Sequence, residues 1–258
     1  METDLVPQPQ TPLSEPPTVS APAPVAPWWH TLSIIAVILL VSFVGARTNH
    51  GPASGSGGSE KMGHYLTTMV WEWLLFFYVW WGVTMRGGKL RDLLGERWKQ
   101  VEDVLLDVAI AAIFLIAWLV FAAGIAVAFK LVHPGQVTHQ LEETRRNLGF
   151  LVPRTGLEMT IWLGLSLTAG ICEETVFRGY LQKQFLSLNG SAFLAILLQG
   201  LCFGAAHGYE GTQKMVLIAL LGIFFGVLTY FRKALYPAII AHATYDFAAG
   251  LALRFLVK

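Results

Sequence analysis

The sequence is short of charge. Of its 258 residues only 14% are Asp, Glu, Lys or Arg, against 54% hydrophobic, and the mean hydropathy is +0.54. That balance excludes an ordinary soluble domain and predicts a chain whose main solvent is lipid. Neither sign of charge prevails, with 18 Lys and Arg facing 17 Asp and Glu. The basic surplus that neutralises nucleic-acid phosphates is missing, so no nucleic-acid partner is expected. Cysteine is scarce too. Cys172 and Cys202 both fall in apolar stretches, where they read as packed thiols and not as a disulfide staple. Small packed cysteines are common in apolar helices, which makes a catalytic thiol at either position the weaker reading. The first 27 residues hold no Lys or Arg and are rich in Pro, Ser and Thr. They are expected to form a disordered tail. Lacking a basic start that runs straight into an apolar stretch, they do not read as a cleavable signal peptide.

Long hydrophobic runs are what the chain does have. A membrane helix needs about 20 mostly apolar residues, and seven stretches qualify: Trp28 to Ala46, Tyr65 to Thr84, Val104 to Val132, Leu157 to Tyr180, Ala192 to Gly208, Met215 to Phe231 and Leu235 to Leu256. The expected fold class is all-α, a polytopic transmembrane bundle of about seven spans behind the tail. GPASGSGGSE, between the first two, reads as a flexible connector. Arg86, Lys89, Arg91, Arg97 and Lys99 make the loop after the second span the densest basic segment, which assigns it to the cytoplasm by the positive-inside rule. Residues 89 to 103 read as an amphipathic helix on the membrane face or as a solvated linker helix. The stretch from His133 to Gly156, with HQLEETRRN at its centre, reads as a polar extracytoplasmic helix or loop.

Lipid should exclude ionisable side chains unless they are paired, hydrated or functional. Six stand in three helices of the C-terminal half. In ICEETVFRGY, Glu174 and Arg178 are four apart with the acid first, the order that lets them pair along one helix face. Glu173 points about 100° away and is left free. In FGAAH, Phe203 and His207 share a face, as do His242 and Asp246 in HATYD. The turn at Leu188 to Ser191 lies roughly 25 Å from Glu173 and roughly 24 Å from His207, so an antiparallel hairpin brings the two level. The polar run after Tyr180 suggests a helix end projecting from the membrane, with Glu173 on the order of 10 Å below the surface. His242 is about 10 Å in from the Arg232–Lys233 turn. Acid, base and carboxylate are thus expected in one layer facing the cytoplasmic leaflet.

EETVFRG, FGAAH and HATYD, in this order on successive apolar helices, resemble the EExxxR, FxxxH and HxxxN/D motifs of the CPBP intramembrane protease family, which includes the type II CAAX prenyl endopeptidases and abortive-infection proteins. The resemblance covers roughly residues 155 to 250. It divides the chain into a tail (1–27), a variable transmembrane region (28–154) and a catalytic core (155–256). It implies peptide-bond hydrolysis within the membrane, with Glu173 and His207 activating water, His242 and Asp246 binding the oxyanion or holding the site, and Glu174, Arg178 and Phe203 in support. Position 246 is often Asn in the family, and an Asp there serves instead to orient His242 or to bind a metal. The cofactor stays open between zinc or another divalent ion, with His207 and His242 as candidate ligands, and a metal-free mechanism on the same residues, since no HExxH is present. The implied partners are membrane lipid and a membrane-associated peptide or protein, of prenylated CaaX or leader-peptide type. Apart from the resemblance, the Pro-rich tail and the lack of an organelle-targeting signal suggest a bacterial plasma membrane.

Two other classes compete. A proton-coupled transporter also buries Glu, Arg and His, but it predicts ionisable residues strung along a path, and the N-terminal half offers mainly Glu72, with Asp107 near a helix end. A non-catalytic immunity or scaffold protein would keep the fold without the activity.

Overall fold

The computed structural model describes residues 21–48, 58–136, 142 and 149–256. The tail up to residue 20, most of the Gly/Ser connector and nearly all of HQLEETRRN lie outside the described residues. Every regular element among the described residues is helical, apart from one isolated bridge between Gly95 and Ala234. The helices are α1 (Trp28–Thr48), α2 (Gly58–Thr84), α3 (Leu90–Leu94), α4 (Val101–Val132), α5 (Gly156–Glu174), α6 (Gln182–Asn189), α7 (Ala192–Ala206), α8 (Thr212–Arg232) and α9 (Tyr236–Leu256). Each of the seven expected spans has a helix in its place.

Among the described residues three helices, Trp28–Arg47, Val101–Val132 and Thr212–Arg232, are long and apolar enough to cross a membrane by themselves. Only 28%, 22% and 28% of their most apolar windows are buried within the protein. Large side chains such as Leu40, Phe43, Ile113, Val120 and Phe231 point outward instead. In water that much contiguous apolar surface drives association, whereas lipid solvates it. The chain is therefore a membrane protein. At ~1.5 Å per residue α4 is ~48 Å long, more than the ~30 Å hydrocarbon core, so it tilts or projects.

The site rests on one continuous rod. Thr155 caps α5: its hydroxyl accepts from Glu158 N, and the Glu158 carboxylate returns to the amides of Arg154 (2.6 Å) and Thr155 (3.2 Å). This reciprocal box satisfies amides that lipid could not. Between α5 and α6 the rod winds as a π-helix over Thr175–Leu181. Gly190, at φ 74°, stops α6, and Ser191 caps α7 by accepting from Leu194 N, closing the hairpin where the sequence places it.

Helices α7 and α8 touch backbone to backbone. A Cβ on Gly204 would sit 2.5 Å from Ala219 Cβ and 2.6 Å from the Met215 carbonyl oxygen. One on Gly200 would meet Ile223 Cγ1 at 2.6 Å, and one on Gly222 would meet Gly200 Cα at 3.1 Å. Gly200 and Gly204, like Gly222 and Gly226, are four apart, the small-xxx-small spacing that lets membrane helices approach closely.

Two expectations are corrected. Residues 89 to 103 do not form one helix at the membrane face. Gly95, at φ 88°, ends α3 after five residues, and α4 starts afresh behind its Gln100 cap. Leu93 is 1% exposed, packed in the core, and Leu235 N donates to Leu94 O at 2.9 Å. The tail is not free to its end either. Gln184 accepts from the amides of Val25 (3.0 Å) and Ala26 (3.2 Å) and donates to Ala26 O (2.9 Å). Asp107, near the start of α4 as expected, is fully buried and clamps Trp98 Nε1 and Arg232 Nε, each at 2.7 Å. That clamp gathers the basic loop, the start of α4 and the end of α8 at one end of the bundle.

Candidate active site

Seven side chains singled out by the motifs converge. The deepest layer is Arg178, whose side chain is completely buried and donates from Nη1 to Glu174 Oε1 at 2.8 Å. The i, i+4 pair read from the sequence is therefore formed. Arg178 Nη2 also reaches the Gly222 carbonyl at 3.3 Å, and its guanidinium carbon stands 4.2 Å from the centroid of Phe203 and 5.0 Å from that of Phe225. Carboxylate, carbonyl and aromatic faces together compensate a charge that would otherwise be prohibitive here.

Glu174 does more than fix the helix. Its Oε1 also accepts from His242 Nδ1 at 2.7 Å, so Arg178, Glu174 and His242 form a chain joining the rod to α9. The His242 ring stacks on Phe225 at 5.4 Å and 21° and meets Phe203 edge-on. Its other nitrogen, Nε2, faces Asp246 Oδ2 at 3.4 Å and Glu173 Oε2 at 3.7 Å. With a carboxylate against each edge, the imidazole is set to donate from both nitrogens.

His207 does not sit inside a helix but just past the end of α7, at φ −103°. Its Nδ1 lies 2.8 Å from the Phe203 carbonyl oxygen, an atom that only accepts, so the proton is on Nδ1. Nε2 is left as the ring's remaining polar atom, a second hydrogen bond fixing which nitrogen is offered. Phe203 lies edge-on to both imidazoles, at 5.0 Å from His207 and 5.9 Å from His242, and holds them apart as a partition.

Glu173, His207, Glu72 and Tyr209 line a cavity of about 440 Å³ between α1, α2 and α5. The same four residues border an adjoining chamber of about 420 Å³ that continues to His242, Tyr245 and Asp246. Glu173 is 19% exposed into this space, and its Oε2 makes no hydrogen bond among the described residues. Asp246 is 32% exposed beside it. Glu174 and Arg178 lie behind the wall. The arrangement offers a carboxylate, an imidazole nitrogen and a second imidazole edge around a space large enough for a peptide segment.

The outer lining of the cavity is His64, Phe150, Leu151 and Tyr209, at the end of the bundle where Lys61 bridges Val152 O and Glu158. That end is opposite the basic loop. The polar run after Tyr180 differs in part from the projecting helix end expected of it. Gln182 and Gln184 are buried, not projecting, the first donating to Gly226 O at 3.0 Å and the second holding the tail. A glutamine that satisfies backbone inside a bundle looks, in sequence, like one in water.

Among the described residues no three His, Cys, Asp or Glu side chains converge as a metal-binding group. Without a third ligand beside His207 and His242, the described side chains do not make the open three-ligand site for zinc or another divalent ion considered from the motifs. The reaction is derived from side chains alone. Glu72, which the motifs omit, is the main addition; its only signal in the sequence is a lone acid in an apolar span. Tyr209 follows His207 by two residues and carried no signal.

Residues 155–248 match the family described as Type II CAAX prenyl endopeptidase Rce1-like. This agrees with the family resemblance of the three motifs, and the family is one of proteases. No curated protein matches the chain. No solved structure matches it either.

Proposed function

We propose that this chain, which carries a type II CAAX prenyl endopeptidase segment of the Rce1-like family at residues 155–248, is an intramembrane endopeptidase acting on membrane-associated peptides. One observation carries the reading: the Glu173 carboxylate, its side chain 19% exposed, lines a cavity that it shares with His207. A water held between Glu173 and His207 Nε2 loses a proton to the carboxylate as its oxygen attacks the peptide carbonyl. His242, braced by Glu174 and Arg178, presents Nε2–H to the developing oxyanion. Asp246, 3.4 Å from that nitrogen, orients the ring and balances its charge, the role suited to an Asp where an Asn would donate directly. Exclusion of bulk water strengthens each interaction.

The lining mixes these polar groups with Ile38, Val41, Leu75 and Phe177. A substrate that brings its own apolar portion matches that wall, which fits a prenylated CaaX-type chain end or a hydrophobic leader peptide. Membrane lipid is the other partner, covering the outward faces of α1, α4 and α8. The clustering also favours a reaction centre over a conduit, because Glu72, the residue a transport path most needed, lies in the same cavity as Glu173.

The test is cleavage of prenylated and unprenylated membrane peptides by purified protein. Glu173→Gln and His207→Ala are each expected to reduce turnover by about 10²–10⁴-fold, the contribution of a positioned acid–base group, with unchanged thermal melting. Near-wild-type cleavage in both variants would overturn the reading.

A further inference from the structure

The cavity holds a carboxylate that no motif accounts for. Glu72 comes from α2, outside the residues that match the protease family. It is 7% exposed, and its Oε2 makes no hydrogen bond among the described residues. It borders both chambers together with Glu173 and His207. A carboxylate in such a place is costly, and α2 gains no helix-to-helix pairing through the free oxygen.

Ionisable groups face it from every packed element. From α5 come Cys172 and Glu173, and from α9 His242 and Asp246. His207 and Tyr209 approach from the α7–α8 junction, and His64 lies two turns away on α2 itself. Glu210 and Lys214 stand further along the second chamber. Glu173, Asp246 and His242 act on Glu72 electrostatically. Crowded carboxylates in one water-poor space do not all ionise; the economical state is a shared proton.

We propose that Glu72 is a further catalytic residue, the general acid that protonates the amine leaving group. The proposal rests on the protease reading above. Attack of water forms the new C–O bond, its proton goes to Glu173, and the carbonyl π electrons move to oxygen. On collapse the C–N bond breaks, its electron pair stays on nitrogen, and nitrogen takes the proton of the Glu72 carboxyl group. Glu173 then passes its proton to Glu72, and both groups return to their starting states with one water consumed.

The experiment compares Glu72→Gln, Glu72→Asp and Glu173→Gln on an amide substrate and on the matching ester, whose alkoxide leaving group depends far less on protonation. Glu72→Gln is expected to lose about 100-fold in kcat on the amide, with little change in KM. Most of that activity should return on the ester, while Glu173→Gln stays inactive on both. Glu72→Asp, shorter but still protic, should retain more amide cleavage than Glu72→Gln. Equal losses on amide and ester, or equal losses in Glu72→Gln and Glu72→Asp, overturn the proposal, and melting curves in detergent establish that the variants are folded. Persistent cleavage by Glu173→Gln would instead overturn the underlying protease reading.

Discussion

Glu174→Ala removes one oxygen that serves two donors, and its cost follows from the geometry. Arg178, with a fully buried side chain, loses its 2.8 Å partner, and His242 Nδ1 loses its 2.7 Å acceptor. Stranding one member of a buried pair costs about 3–5 kcal/mol, because the remaining charge is left without compensation. At roughly 2–4 °C per kcal/mol for a protein of this size, thermal unfolding should fall by roughly 6–20 °C. The nine tryptophans supply the fluorescence signal for the measurement in detergent. Adding Arg178→Met removes the orphaned charge and keeps an apolar side chain against Phe203 and Phe225, so the double variant should melt above Glu174→Ala alone. Turnover should stay low in both, since His242 has lost its brace. A melting point for Glu174→Ala within ~2 °C of wild type would refute the reasoning. So would a double variant that is worse by the sum of the single effects.

Two further outcomes follow from other parts of the bundle. Gly204→Ala puts a methyl group against Ala219 and the Met215 carbonyl, and is expected to destabilise by about 1–3 kcal/mol and to lower turnover by displacing Phe203 and His207. Gly124→Ala, which meets nothing within 4 Å, should be neutral in the same melting assay, and matched behaviour of the two would undo the close-packing account. Dialysis against a strong chelator should leave the cleavage rate unchanged, because no three of the described side chains assemble as metal ligands. A loss of activity restored by zinc would show that the donor set was misjudged.

Much of this protein is legible in its linear order. Seven apolar runs dictate seven long helices, because lipid leaves the backbone almost no other way to satisfy its amides. The pairing of Glu174 with Arg178 follows from four-residue spacing, and the levelling of Glu173 with His207 follows from rise per residue about a Gly190–Ser191 turn. These are local properties, and helix geometry transmits them unchanged. The tertiary structure decided what depends on which faces meet. Only the packing of α9 against α5 shows that Glu174 also holds His242, and only the packing of α2 against α5 brings Glu72 into the cavity. The polar run beyond Tyr180 is the instructive case. Gln182 and Gln184 are polar because other segments present them with unpaired backbone groups, and a linear sequence records the polarity of a side chain without recording its partner. The scarcity of charge determined that the chain lives in lipid, and the fold determined that Glu72, Glu173, His207, His242 and Asp246 gather around one space.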